Sequence, residues 1–362
     1  MSRPNEFADY SPHMARMILG ITAALIVFFV GVTLSPLASG YADAPPRGPS
    51  DVDLYRAEIA RVHAGENYYE AANLELRARG YPTGSVFNWR TPLPMWLMGV
   101  LPDIACGKAI LCGLALLALV WSFDLIARER GKRAACFAAL LLTGAFLPCL
   151  VGELCVMPDV WAGVFILLSL LAVARGNTAG GIAFGVSAIF VRELVLPFAV
   201  LNLVYALVRR RWKEAAGWFL GLLAFGVYYA WHAAQVSPLI KPGDIVHQGG
   251  WILYGGAGFV LSTVQMNVYL LLSPQWVSAI YFPLALLGFS GWRSPRGERS
   301  GLVIALFVLL FAVVGRPINQ YWGSLIAPLL CLGAAQAPRA LSELWRAAKF
   351  GGVNALVDAV RF

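Results

Sequence analysis

The sequence predicts an all-α, polytopic membrane protein of about ten transmembrane helices. Three observations predict it. Of the 362 residues, 59% are hydrophobic and 13% charged, against about 45–50% apolar and about a quarter charged in a soluble domain. Mean hydropathy is +0.67. The formal net charge of +8 comes from Lys and Arg gathered in short loops between apolar runs, which is the positive-inside pattern of a membrane protein and not a nucleic-acid surface. A soluble core stops growing near about 250–300 residues and could not hide this much apolar surface. Collagen, disulfide scaffolds and disordered chains are excluded by composition.

Apolar runs bounded by charge place the spans near 17–37, 105–127, 134–150, 159–174, 179–194, 195–208, 215–235, 263–290, 301–315 and 322–338. The first is kept as a span because no basic segment precedes it and no small-residue cleavage site follows. Several runs are shorter than about 20 residues, which predicts broken or tilted helices. The basic loops Arg128–Arg133, Arg209–Glu214 and Trp292–Arg299, with the tail from Arg339, fall on one side. That side is expected to be the cytoplasm, with both termini there. Residues 1–362 read as a single integral membrane domain, and 38–92 as its first external loop. Cys112, Cys136 and Cys331 lie inside apolar runs as small hydrophobes. Cys149 and Cys155 flank a short external loop, where they could pair in an oxidising compartment.

The first external loop predicts two surface helices. Ser50 reads as an N-cap, with Asp53 three residues later completing a capping box. Tyr55, Ile59 and Val62 follow on one face, and Gly65 breaks the helix. A second helix starts near Asn67, carries Tyr69, Ala72 and Leu76 on one stripe, and ends at Gly80 and Pro82. Such amphipathic helices fit the membrane surface.

Chemistry concentrates at the ends of this loop. Asp51 closely follows the first span, and Tyr55 lies one turn on, on the same helix face. A carboxylate there can act as general base toward an acceptor hydroxyl; the alternative is an acid favoured by the helix dipole. For Asp53 the cap is a complete explanation beside any binding role. Arg90, beside Trp89 at the far end, reads from the residues alone as an interfacial anchor.

The run Asp51-Val-Asp-Leu-Tyr55, then Ala57, then Gly65-Glu-Asn-Tyr68, resembles the first-loop motif of the GT-C glycosyltransferases, which take sugar from polyprenyl-phosphate carriers. Protein O-mannosyltransferases, aminoarabinose transferases and polyprenol-phosphate-dependent mannosyltransferases share the pattern. Val52 stands where a Glu is common, which sets the chain apart from the O-mannosyltransferase branch. Asn88-Trp89-Arg90-Thr91-Pro92-Leu93-Pro94-Met95-Trp96-Leu97 resembles the family's Lys-Pro-Pro-Leu-x-x-Trp segment, with Arg90 at the Lys position. The resemblance implies a GT-C-like fold, Asp51 as the catalytic acid position and Arg90 on the donor phosphate. It leaves a divalent cation as an open cofactor, since relatives differ in needing one, and no metal-binding residue is assigned.

Four further features join the expected site. Glu153 and Asp159 in Val151–Asp159 can bind acceptor hydroxyls or a metal, and Asp159 can equally be a first-turn acid. Arg192 and Glu193 interrupt an apolar stretch. As helix neighbours they would not face each other, so each is expected to need its own partner, a ligand or an ion on another helix. Arg316, Asn319 and Tyr321 offer a guanidinium, an amide and a stacking face, with an interfacial aromatic belt as the alternative for Tyr321. Lys241, Asp244 and His247 are candidate edge residues. A phosphate loop, HExxH and CxxC are absent, and no long polar stretch lies on the basic side to bind a nucleotide sugar. With the GT-C resemblance, the sequence is expected to be an inverting glycosyltransferase of a bacterial inner membrane, of hexosyl- or pentosyltransferase type. Its donor is a polyprenyl-phosphate-linked sugar, its acceptor a glycan, lipid or protein hydroxyl on the periplasmic side. A transporter or flippase, or a polymerase or ligase, for lipid-linked glycans is the competing reading.

Overall fold

A computed structural model of the chain describes residues 6–35, 50–246 and 253–350, all helices and connecting turns with no strand among them. In chain order the α-helices are α1 (Pro12–Thr33), α2 (Asp51–His63), α3 (Tyr68–Ala78), α4 (Leu93–Gly99), α5 (Ile104–Arg130), α6 (Lys132–Leu150), α7 (Pro158–Ala174), α8 (Thr178–Val191), α9 (Leu196–Val208), α10 (Trp212–Val236), α11 (Gly256–Val264), α12 (Val268–Leu271), α13 (Gln275–Ser290), α14 (Pro295–Val313) and α15 (Ala327–Phe350). Four stretches among the described residues, α1, α5, α6 and Trp212–Leu239, are long and apolar enough to cross a bilayer. A fifth forms if Ile318–Leu325 and α15, bent by 63°, make one span. Full-length helices thus account for only part of the expected ten. The apolar helices Pro158–Ala174, Thr178–Val191, Glu193–Val208 and Gln275–Ser290 are shorter, and at 1.5 Å per residue they fall below the roughly 30 Å hydrocarbon core.

Three boundaries depart from expectation. The first span starts earlier, because Ser11 caps α1 with its hydroxyl accepting from Met14 N at 3.3 Å and Pro12 fits the first turn. Residues 36 and 37 of that expected span lie outside the described residues. The expected run 263–290 is three helices. Asn267 caps α12, accepting from Tyr269 N at 3.0 Å, and its amide donates to Leu141 O at 3.0 Å; Pro274 then precedes α13. Last, α15 continues through Pro338 to Phe350, because its second half buries Ala340, Leu344 and Ala347.

The chain divides into two compact units. The first comprises Met1–Asp43, Leu119–Phe146 and Gly255–Phe362 in their described parts. In it α13 packs along α15, and α1 lies against both. Gly288 and Gly333 meet there with no room for a Cβ, so the two backbones approach closely. Phe7, Ala15, Leu287, Ala340, Leu344 and Ala347 form one apolar cluster. Beside it, Arg16 donates from Nε and Nη2 to Ala348 O at 3.2 and 3.0 Å.

The second unit comprises Ala44–Ala118 and Leu147–Tyr254 in their described parts. The two helices of the first loop form as the caps dictate. Ser50 Oγ accepts from Asp53 N at 3.2 Å while the Asp53 carboxylate accepts from Ser50 N at 3.3 Å, and Asn67 Oδ1 accepts from Tyr69 N at 2.8 Å. Their apolar faces turn onto protein. Leu54, Tyr55, Ile59, Tyr69, Ala72 and Leu76 are all buried, with α2 packed on α3 and α4. Amphipathicity demands an apolar partner, and neighbouring helices supply it as well as lipid does. Beyond α10, residues 237–246 fold back on α3: Arg77 Nη1 donates to Asp244 Oδ1 at 2.6 Å and Arg77 Nη2 to Leu239 O at 2.9 Å. The amides of Thr83 and Gly84 both donate to Ile245 O at 3.0 Å. The remaining helices pair as α7 with α8 and α9 with α10.

Candidate functional site

The second unit gathers most of the expected site residues. Asp51 opens α2, partly exposed, and its Oδ1 accepts from the Tyr81 hydroxyl at 2.8 Å. One turn on, Tyr55 is buried, and its hydroxyl accepts from Arg90 Nε at 2.9 Å. The Arg90 carbonyl in turn accepts from the Tyr68 hydroxyl at 2.8 Å. The two chemistry-bearing ends of the first loop therefore meet through one tyrosine. Burial pushes the Tyr55 phenol well above its ordinary value, with Arg90 pulling the other way, so Tyr55 is neutral and its own O–H remains a donor.

From Arg90 a chain of alternating charges runs inward. Arg90 Nη1 donates to Glu193 Oε1 at 3.2 Å. Arg192 Nη1 also donates to Glu193 Oε1, and Arg192 Nε donates to Asp159 Oδ1 at 2.8 Å. The contact between Arg192 and Glu193 corrects the expectation that these neighbours need separate partners. That expectation assumed a continuous helix. Instead α8 ends at Val191, Arg192 is extended (φ −146°, ψ 109°), and Glu193–Val195 forms one 3₁₀ turn before α9. Pro197 sits in the first turn of α9, where its missing N–H costs nothing. Asp159 is the first-turn acid of α7, as one of its sequence readings has it, and its carboxylate is also the buried partner of Arg192.

The other expected residues have different neighbours. Hydrogen bonds from Ser50 hold the Asp53 carboxyl below its usual range, and its carboxylate is engaged in the cap, the Ser50 hydroxyl donating at 2.7 Å. Glu153 pairs with Arg56 of α2. Asp244 clamps Arg77, whose hydrogen bonds depress its carboxyl, and accepts from Lys241 N at 2.8 Å. His247 lies outside the described residues. Arg316, Asn319 and Tyr321 belong to the first unit; Arg316 caps the 3₁₀ segment Pro317–Leu325, and Asn319 is buried within it. All six cysteines are free, so the pairing considered for Cys149 and Cys155 does not form. Both are buried, and the Cys149 carbonyl accepts from the Cys112 thiol at 3.4 Å. Among the described residues no three His, Cys, Asp or Glu side chains gather as a metal site.

Two buried polar residues were not anticipated. Glu58 lies on α2 at i+3 from Tyr55 and i+7 from Asp51, and is 2% exposed. Burial pushes its carboxyl up to about 8, against the pull of Arg90 and Arg79 and with reinforcement from Asp51. Its Oε2 has no hydrogen-bond partner among the described residues. The sequence signal was present, since positions 51, 55 and 58 share one face. His232 of α10 is fully buried, with its Nδ1 3.1 Å from the Tyr69 hydroxyl. A lone His inside an apolar run gave no comparable signal.

The Glu58 carboxyl yields a pH prediction. An unfolded Glu releases its proton near 4.5, the folded one near 8. The stability Glu58 contributes is fully present below pH 4.5 and is lost as pH rises through 8, on the order of 5 kcal/mol in all. Glu58→Gln keeps the neutral form throughout. Thermal unfolding in detergent should show wild type losing Tm relative to Glu58→Gln between pH 5 and 8, with the gap constant above that. A gap that does not change with pH would contradict the assignment.

Taken together, fold and site define an all-helical chain with membrane-length apolar helices and a buried chain of arginines and carboxylates beside its first-loop helices. No family model matches the sequence, and no curated protein does. Among solved structures, the crystal structure of ArnT from Cupriavidus metallidurans in the apo state is similar, with a TM-score of 0.47 and 18% sequence identity. The match covers 88% of this chain and 59% of that one, so the chain spans less than two thirds of the length of ArnT.

Proposed function

We propose that this protein is a membrane glycosyltransferase that moves a sugar from a polyprenyl-phosphate donor to an acceptor hydroxyl, with inversion. One observation carries the reading: the carboxylate of Asp51 and the guanidinium of Arg90, at opposite ends of the first loop, converge on the α2 face that bears Tyr55. The motifs at both loop ends resemble those of GT-C enzymes and support the same assignment. The protein then lies in a bacterial inner membrane with both termini cytoplasmic and the site periplasmic, and the acceptor is a glycan, lipid or protein.

In this mechanism Asp51 removes the proton of the acceptor hydroxyl as its oxygen attacks the anomeric carbon. The bond from that carbon to the phosphate oxygen breaks, and the lipid phosphate leaves with one more negative charge. Arg90 and Arg192, already fixed by Tyr55, Glu193 and Asp159, meet that charge with preorganised donors. Asp53, held in the α2 cap, and Glu153, paired with Arg56, are further candidates for acceptor hydroxyls.

The test is product analysis. Purified protein given a labelled polyprenyl-phosphate sugar and an acceptor extract should yield labelled acceptor and free polyprenyl phosphate; movement of intact donor across a vesicle without cleavage would establish a flippase instead. Arg90→Ala should lower kcat/KM for the donor by about 10²-fold or more, the scale of one lost transition-state donor. Arg90→Lys should fall between, because it keeps the charge and loses the fork. Unchanged donor kinetics in Arg90→Ala would remove Arg90 from the phosphate.

A further inference from the structure

Glu193 has a peculiar set of bonds. Two guanidinium groups, Arg90 and Arg192, donate to a single oxygen, Oε1, while Oε2 is buried without a hydrogen-bond partner among the described residues. Paired guanidiniums are the preferred receptor for an oxyanion that offers several oxygens. Glu193 meets that demand with one oxygen only.

The chain is also unequal along its length. Side-chain exposure is 2% for Arg192 and 1% for Asp159 at the inner end, but 19% for Arg90 and 26% for Glu193 at the outer end. The inner pair is locked. The outer side chains are partly exposed, and Glu193 sits on a single 3₁₀ turn between two helices, next to extended backbone at Arg192. Rotation of its side chain therefore disturbs no regular helix.

Charge completes the argument. Asp159, Arg192, Glu193 and Arg90 alternate in sign and sum to zero. With the Glu193 carboxylate withdrawn, the remaining three sum to +1, which one monoanion restores to neutrality. A sugar phosphodiester carries one negative charge, whereas the phosphomonoester left after transfer carries about −1.5 to −2. The geometry points to Glu193 as a resident carboxylate in the oxyanion site between Arg90 and Arg192, displaced when a phosphodiester monoanion binds. This rests on the donor-phosphate reading above and deepens it: Glu193 sets the charge state that the site accepts.

The probes are farnesyl methyl phosphate, a phosphodiester monoanion, and farnesyl phosphate, titrated calorimetrically into the full-length protein in detergent. Glu193→Gln removes the competing charge and keeps the side-chain shape. It should bind farnesyl methyl phosphate about tenfold more tightly than wild type, the scale of one charge-assisted hydrogen bond no longer exchanged. Glu193→Asp retains the charge and should show no such gain. In wild type, which needs no variant to fold, labelling of Glu193 by dicyclohexylcarbodiimide, read by mass spectrometry, should rise when the diester is added. Equal or weaker diester binding by a folded Glu193→Gln protein, or labelling that stays level or falls, overturns displacement while leaving the phosphate site standing. Binding of neither probe by any form overturns the phosphate reading and this inference with it.

Discussion

Asp51→Asn is expected to lower kcat for sugar transfer by about 10²–10⁴-fold, the range supplied by a positioned general base, with little change in fold. The substitution is isosteric, and the Asn carbonyl can still accept the hydrogen bond that Tyr81 gives to Asp51 Oδ1. The helix start is unaffected, because the α2 cap belongs to Ser50 and Asp53. What is lost is basicity alone. Donor affinity should therefore stay near wild type while turnover collapses, a split that single-turnover assays with labelled donor resolve. A variant that transfers sugar at a near-normal rate would exclude Asp51 as the base.

Arg192→Ala should be the most destabilising single change in the second unit, by about 3–5 kcal/mol, the usual cost of breaking a buried pair from one side. The reason is what remains: Asp159, 1% exposed, is a buried carboxylate stripped of its donor at 2.8 Å. Asp159→Asn added to Arg192→Ala removes that stranded charge and should recover part of the loss, giving a coupling energy well above the 0.3–0.5 kcal/mol error of additivity. The measurement is Tm in detergent for the two single variants and the double. Equal Tm values for wild type and Arg192→Ala would show that the pair is energetically idle.

How far the sequence reaches can be followed residue by residue. Ser50, Asp53 and Asn67 announced α2 and α3 because capping is local chemistry, written within three residues. Asp51 and Tyr55 were placed on one face for the same reason. The partners of the two helices are not legible, since an apolar stripe does not distinguish lipid from protein: α2 packs on α3 and α4, and Tyr69 of α3 meets the Trp231 ring. Glu58 does not stand out in the sequence because apolar periodicity gives no sign of a buried carboxyl, and the rise in its pKa comes from burial that only tertiary packing creates. The ion pairs of Arg192 depended on a helix break whose signal, Pro197, lies five residues downstream. The three-part segment of α11, α12 and α13 reads as one span in the sequence because Asn267 and Pro274 are uncharged and lie within a long, mostly apolar run.

The contact between Arg77 and Asp244 has an outcome for the protein in changing surroundings. Asp244 holds its charge well below the ordinary carboxylate range because Arg77 and the Lys241 amide both bond to it. The stability this contributes is in force above pH 4 and fades only as pH falls through that depressed value. A latch of this kind stays shut under mild acidification, so residues 237–246 keep their hold on α3 in an acidic medium that would loosen an ordinary surface ion pair.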